Sequence, residues 1–349
     1  MEKAKLSAIQ LFALMFIFEL GSALVVSLGI SAKKDAWLAI LLGMCGGIVL
    51  FLIYYLLYRQ YPTLMLIGYT REIFGKYVGW VVGLLYVVLF LYIASRNVRD
   101  FGDLLLSSTM NETPLLAINI LMILAICYVL YLGIEVLART AEVLIVSLVF
   151  FGLIGNLFIY FSGNVNLQNL QPFLEHGWKP IIMTAFKLTI FFPFGELIAF
   201  TMLLPYLNQS KLVKKVWLTA LIASGLILSY TLCLNIVVLG VEQVERATFP
   251  LLSTISKVNL LDFIQRLDVL VVFPFLTTMF FKISIFLYCA VIGIADLFKV
   301  KNYQQIIFPI GVILTILSMM IAPDFTEHIE EGFNIVPYYL YIPFFSSYL

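Results

Sequence analysis

Charge is what this chain has least of. Only 12% of its 349 residues are Asp, Glu, Lys or Arg, against 62% that are hydrophobic, and that imbalance excludes an ordinary soluble domain. A formal net charge of +1 offers no particular hold for nucleic acid or an acidic partner. Histidine is nearly missing. The two present, His176 and His328, fall in polar connections and read as solvated. The four cysteines, Cys45, Cys127, Cys233 and Cys289, each lie inside an apolar run, spaced for neither a metal site nor a disulfide frame. They read as small side chains filling helix interfaces. The sequence has no His-Glu-x-x-His zinc motif, no Gly-x-x-x-x-Gly-Lys phosphate loop and no Gly-x-Ser-x-Gly nucleophile elbow. Nothing therefore points to an enzyme, a metal or a cofactor.

What the chain does have is apolar runs of 18 or more residues along its full length, the mark of a polytopic all-α membrane protein. Ten spans are expected, at approximately 7–29, 36–58, 78–106, 114–132, 140–161, 181–207, 214–240, 267–297, 304–322 and 332–349. Met1-Glu2-Lys3-Ala4-Lys5 leads into the first without a small-residue cleavage site, so that helix reads as retained and not as a signal peptide. With the N-terminus inside, the inner segments carry Lys3, Lys5, Arg59, Arg71, Lys76, Arg139, Lys211, Lys214, Lys215, Lys299 and Lys301. The outer ones carry the shorter set Lys33, Lys34, Lys179, Arg246, Lys257 and Arg266. That bias puts both termini on the cytoplasmic side, and the acidic stretch Asp324–Glu331 outside. Residues 62–77 are expected along the inner interface, and 249–257 as a short helix capping an outer vestibule.

Two spans are interrupted at matching points. Phe18-Glu19-Leu20-Gly21-Ser22 breaks the first, and Phe192-Pro193-Phe194-Gly195-Glu196 breaks the sixth. A carboxylate at bilayer depth costs about 2.5–3.5 kcal/mol on insertion scales. Glycine and proline beside it let the helix open and leave backbone groups in want of a partner. Paired interruptions of this kind point to a transporter-type site. Ten spans broken at one and six divide into five plus five, and an odd number per half inverts one half relative to the other. That is the LeuT-like inverted repeat, here one transmembrane domain over 1–349 with halves at approximately 7–161 and 181–349. The expected ligand contacts at the breaks are Glu19, Gly21 and Ser22, with Phe194, Gly195 and Glu196. Either glutamate could instead be a structural carboxyl bonded to opened backbone.

Other charges lie deep. Lys282 is near the middle of span eight, with Thr277 nearby and Thr278 one turn away on the same face. Its ammonium could stand where sodium-coupled relatives of this architecture hold an ion, or make a salt bridge to Glu19 or Glu196. Glu19 is the expected partner, since span eight should face span one. In span three, Arg96–Asp100 and Arg99–Asp103 are both i,i+4 pairs able to neutralise each other. Arg96, one turn above Tyr92, could alternatively meet a ligand carboxylate, which makes both candidates for the site. Glu135, Arg139 and Glu142 surround the turn between spans four and five, where local pairing is the plain account.

Several stretches resemble the GerAB-type spore permease family, the B subunits of bacterial endospore germinant receptors within the amino acid–polyamine–organocation superfamily. They are Tyr131-Leu132-Gly133-Ile134-Glu135-Val136-Leu137-Ala138-Arg139-Thr140-Ala141-Glu142, Leu170-Gln171-Pro172-Phe173-Leu174-Glu175-His176-Gly177-Trp178-Lys179-Pro180, Phe249-Pro250 with Gln265-Arg266-Leu267-Asp268, and Thr113-Pro114. The resemblance runs over the whole chain. One departure is the end, Pro343-Phe344-Phe345-Ser346-Ser347-Tyr348-Leu349, where a basic tail would be expected. The resemblance implies a sensor of small germinants, often amino acids, in the spore inner membrane. It also implies A and C receptor subunits as partners, with the 131–142 face as a docking surface. A proton-coupled amino acid permease and a structural scaffold with a vestigial pocket remain alternatives, because fold likeness alone separates none of them.

Overall fold

The structure is a computed structural model that describes residues 4–258, 267–341 and 344. Gln265 and Arg266 of the family-like stretch lie outside those residues, as do the first three residues and most of the terminal 343–349 segment. The described chain is almost wholly helical. In order come α1 (Ala8–Leu20), α2 (Ala36–Gln60), α3 (Leu66–Phe74), α4 (Lys76–Ser108), α5 (Leu115–Leu132), α6 (Ile134–Phe161) and α7 (Trp178–Thr184). Then follow α8 (Val213–Leu239), α9 (Val241–Arg246), α10 (Pro250–Ser256), α11 (Val269–Leu297), α12 (Gln304–Met320) and α13 (Phe325–Asn334). Among the described residues seven helical stretches are long and apolar enough to cross a bilayer, or eight if α12 and α13, bent by 98° at their junction, form one span. The first expected span is the shorter apolar helix α1 followed by 3₁₀ turns.

Both expected interruptions are visible in the backbone. The first span is α-helical up to Leu20, starts under a capping box in which Ser7 and Gln10 bond each other's backbone, and breaks at Gly21. Gly21 has φ 27° and ψ −135°, a conformation glycine reaches because it lacks a Cβ. The sixth passes from α7 through a π turn at Ala185–Thr189 into a 3₁₀ stretch at Phe194–Met202. Glu196 donates its backbone N–H to Pro193 O. The two broken spans meet again at their far ends. Leu6 N–H donates to Tyr206 O at 2.8 Å and Asn208 N–H to Leu6 O at 3.0 Å, a single parallel bridge.

Long helices enclose these broken ones. α1 packs against α6, α8 and α11, and α4 runs along α11. α6 turns Val143, Val146, Phe150, Leu153 and Leu157 outward, an apolar stripe at helical spacing suited to lipid. α3 is less superficial than expected: Leu66, Ile67, Gly68, Tyr69 and Thr70 are all buried, and Thr70 Oγ1 donates to Gly79 O across to α4 at 2.9 Å. The short helix expected over 249–257 is there as α10, with Pro250 in its first turn.

Glycines on α2 seat the broken sixth span. A Cβ at Gly43 would come within 2.2 Å of Thr189 Oγ1, and one at Gly47 within 2.5 Å of Phe194 Cβ. This close approach is what small residues four apart allow between membrane helices. It also lets Thr189 Oγ1 donate to Ala39 O at 2.6 Å, satisfying a hydroxyl inside the bundle. Gly47→Leu is expected to overpack this seam and cost ~1–3 kcal/mol, read as a lowered thermal midpoint in detergent. An unchanged midpoint would show that the seam is not tightly packed.

Candidate functional site

The centre of the bundle holds charge. Lys282 Nζ on α11 lies 2.6 Å from Glu196 Oε2, and both side chains are fully buried. Glu196 also accepts from the Tyr341 hydroxyl at 3.0 Å. The ammonium stands 5.4 Å from the ring centre of Phe18 and 4.7 Å from that of Phe192, where aromatic faces stabilise a cation. Lys282 thus pairs with Glu196 and not with Glu19, the partner expected from sequence. The reason is the break: the 3₁₀ turn after Pro193 aims Glu196 at α11. Glu19 instead points to α8, where Ser224 Oγ donates to Glu19 Oε2; among the described residues Glu19 Oε1 has no hydrogen-bond partner.

Gly21 lies flat against the lysine. A Cβ there would come within 2.3 Å of Lys282 Cδ and 3.2 Å of Nζ. Its carbonyl, freed by the helix break, accepts from Thr278 Oγ1 at 3.4 Å. Next to it a small cavity of about 50 Å³ is lined by Ser22, Arg96, Asn97, Asp100 and Glu196 among its polar groups, and by Phe192, Phe333 and Tyr341 among its rings. Ser22 Oγ donates to Asn97 Oδ1 at 3.3 Å. A space of this size holds a water or two but not an amino acid.

The structure therefore brings Gly21, Ser22, Arg96, Glu196, Thr278 and Lys282 to one centre, with Tyr92 behind Arg96, its hydroxyl accepting from Nη1 at 3.4 Å. Others among the sequence candidates look elsewhere. Phe194 packs on Gly47 of α2, and Thr277 Oγ1 turns back to Phe273 O on its own helix. Gly195 is buried within the 3₁₀ stretch, and Glu19 lies a layer away at α8.

Two expectations about charge fail here. His328 is buried, with its Nε2 2.8 Å from Asp100 Oδ1, because α13 folds inward over α4 instead of lying in solvent. For the same reason Arg96 does not pair with Asp100. Its guanidinium donates to His328 O and stands 3.6 Å from Glu331 Oε2. Arg99 and Asp103 do pair, at 2.6 Å. Asn97, Asp100, His328 and Tyr341 were missed as site residues. Asp100 and Asn97 carried a sequence signal, a carboxylate and an amide inside an apolar span, the amide directly after Arg96. At the other end, Glu135 accepts from Lys5 N–H at 2.8 Å and Glu142 from Gln10 Nε2 at 3.2 Å. The 131–142 stretch thus holds the entry to the first span.

Comparison with known proteins bears on this geometry. A family model described as spore germination protein matches residues 5–326. Spore germination protein KB of Bacillus subtilis (strain 168) is 42% identical over 99% of this chain and 92% of its own length. Spore germination protein A2 of the same organism is 23% identical over 88% of this chain and 85% of its own. Among solved structures, MhsT in complex with L-phenylalanine superposes with a TM-score of 0.73, covering 100% of this chain and 89% of that one at 13% identity. MHP1, a nucleobase-cation-symport-1 family transporter in a closed conformation with bromovinylhydantoin bound, gives 0.71, covering 92% and 73% at 13% identity. The fold is LeuT-like.

Removing one member of a buried ion pair typically costs about 3–5 kcal/mol, because the other is left uncompensated. Lys282→Met is expected to show a loss of that size in thermal or chemical unfolding, and Lys282→Met with Glu196→Gln to recover most of it. The same cycle run with Glu19→Gln should recover little. Simple additivity between positions 282 and 196 would overturn the pairing.

Proposed function

Because this chain belongs to the spore germination protein family, we propose that it is the ligand-sensing membrane subunit, the B subunit, of a spore germinant receptor. In this reading a small molecule, an amino acid by class, binds between the two broken spans and biases the bundle towards one conformation. Partner A and C subunits then read out the shift. The chain would reside in the spore inner membrane with both termini cytoplasmic, built as two inverted repeats.

One observation carries the reading: the polar cavity at the breaks, about 50 Å³, is too small for a ligand of amino-acid size. Binding must therefore be tied to rearrangement, which is what a sensor needs. The neighbour solved with L-phenylalanine shares the fold, and supports an amino-acid-sized guest. Freed backbone at Gly21 and Ser22 and around Phe194, Gly195 and Glu196 would supply donors to a carboxylate and acceptors to an ammonium. Lys282 would provide fixed positive charge where related folds bind sodium, so that no cation is required.

The alternative, a proton-coupled amino acid permease, draws on Glu19. Its Oε1 is buried without a partner among the described residues, and a carboxyl so placed can hold and release a proton. The two readings differ in outcome. As a receptor, the chain in liposomes gives no concentrative uptake of labelled amino acids under a proton or sodium gradient, and the germination response persists in sodium-free medium. Gly21→Leu, which collides with Lys282, is expected to abolish the response of spores while the chain is still inserted at normal level. Concentrative uptake would establish the permease, and a normal response from Gly21→Leu would move the site elsewhere.

A further inference from the structure

The contacts of α13 have a chemical pattern. Arg96 and Asp100 are one turn apart on α4, so their side chains project side by side. They present opposite charges to the same small cavity. Neither is satisfied by the other. Asp100 receives the imidazole of His328, with Nε2 at 2.8 Å. Arg96 receives two oxygens, the backbone carbonyl of His328 and the carboxylate of Glu331 at 3.6 Å. Each charge on α4 is therefore capped from α13 by a group of the complementary kind, a nitrogen on the carboxylate and oxygens on the guanidinium. Phe333, also on α13, lines both this cavity and a larger outer one of about 390 Å³. A single helix both separates the cavity from the outer space and fills its charged positions.

We propose that α13 is an internal stand-in for a zwitterionic amino acid. His328 on Asp100 and Glu331 on Arg96 occupy the places that the α-ammonium and α-carboxylate of the free ligand take when it displaces the helix. The inference rests on the reading of this cavity as the ligand site and makes that reading more specific. Arg96 and Asp100 become the pair that selects molecules bearing an ammonium and a carboxylate on one carbon, since a ligand with one charge leaves the other α4 group exposed and unpaired. Displacement also explains why the cavity is small: it is occupied by part of the chain. The ligand and α13 compete for the same two groups, and the apparent affinity is reduced by the fraction of molecules in which α13 is seated.

The test uses the full chain purified in detergent, with the protein L-amino acids as probes and binding read by thermal shift and by direct titration. Each amino acid that binds is compared with its decarboxylated amine and its deaminated acid. Weakening the stand-in by Glu331→Gln, a change at a partly exposed rim that the fold should bear, is expected to tighten amino-acid binding about threefold, and His328→Asn with Glu331→Gln about tenfold, by enlarging the competent fraction. Arg96→Gln and Asp100→Asn are expected to weaken binding at least tenfold, as should removal of either charge from the probe, since each leaves a buried polar group unpaired. If an amino acid binds the wild type but Glu331→Gln leaves its affinity unchanged or lowers it, α13 is no competitor, and the cavity reading survives alone. If binding is indifferent to Arg96→Gln and Asp100→Asn, the ligand is held elsewhere and the proposal fails. If no amino acid binds either the wild type or the double variant, the zwitterion class itself is wrong.

Discussion

Lys282 and Glu196 lie 2.6 Å apart with neither side chain reaching solvent, and the centre of the molecule is arranged around that contact. Either charge alone at this depth would be costly; together, with Tyr341 on the carboxylate and two aromatic faces near the ammonium, they are compensated. The pair joins an unbroken helix, α11, to a stretch that has left α-helical geometry. A 3₁₀ turn with few ladder bonds could rotate or slide, and the ion pair sets where it stops. The same lysine explains the first break. Its aliphatic stem passes so close to Gly21 that no side chain fits there. One side chain thus organises both interruptions.

The interruptions themselves were legible in the sequence. Glycine and proline next to a carboxylate in an apolar run admit few other readings, and the structure breaks where those residues stand. The deep lysine and the deep arginine were legible too, as ionisable groups in a place that tolerates few. Partner choice was not. Lys282 could have met either glutamate by depth, and only the turn taken after Pro193 decides for Glu196. His328 looked like a solvated residue in an acidic segment, since nothing local says that α13 bends 98° from α12 and dives against α4. Phe194 and Thr277 were placed at the site by proximity in sequence. The helical phase of their segments turns them to α2 and to their own backbone instead. What periodicity cannot supply is the rotation of an irregular segment, because that is fixed by contacts far away in the sequence, with Lys282 and Gly47 for the sixth span.

A fold shared with transporters and a sequence shared with germination proteins are compatible because the fold fixes a place, not a task. The polar centre between two opened helices can admit, move or merely sense a guest. What distinguishes the options is how the resting state is held shut. Here α13 is held on α4 by charged and polar contacts, His328 on Asp100 and Glu331 beside Arg96. The ends of the broken spans far from the cavity are joined differently.

That joint is the bridge between Leu6 and Leu207, two hydrogen bonds between peptide groups at the far end of α1 from the break. Thirteen helical residues separate it from Gly21, about 20 Å of stiff rod at 1.5 Å per residue. A rod pinned at one end and breakable at the other is a lever, and the bridge is its fulcrum. Small rotations there become displacements of ångströms at the cavity, while the two half-spans stay coupled as they swing. Main-chain bonds depend little on which side chains flank them, so such a fulcrum can persist through extensive sequence drift and leaves no motif by which to find it.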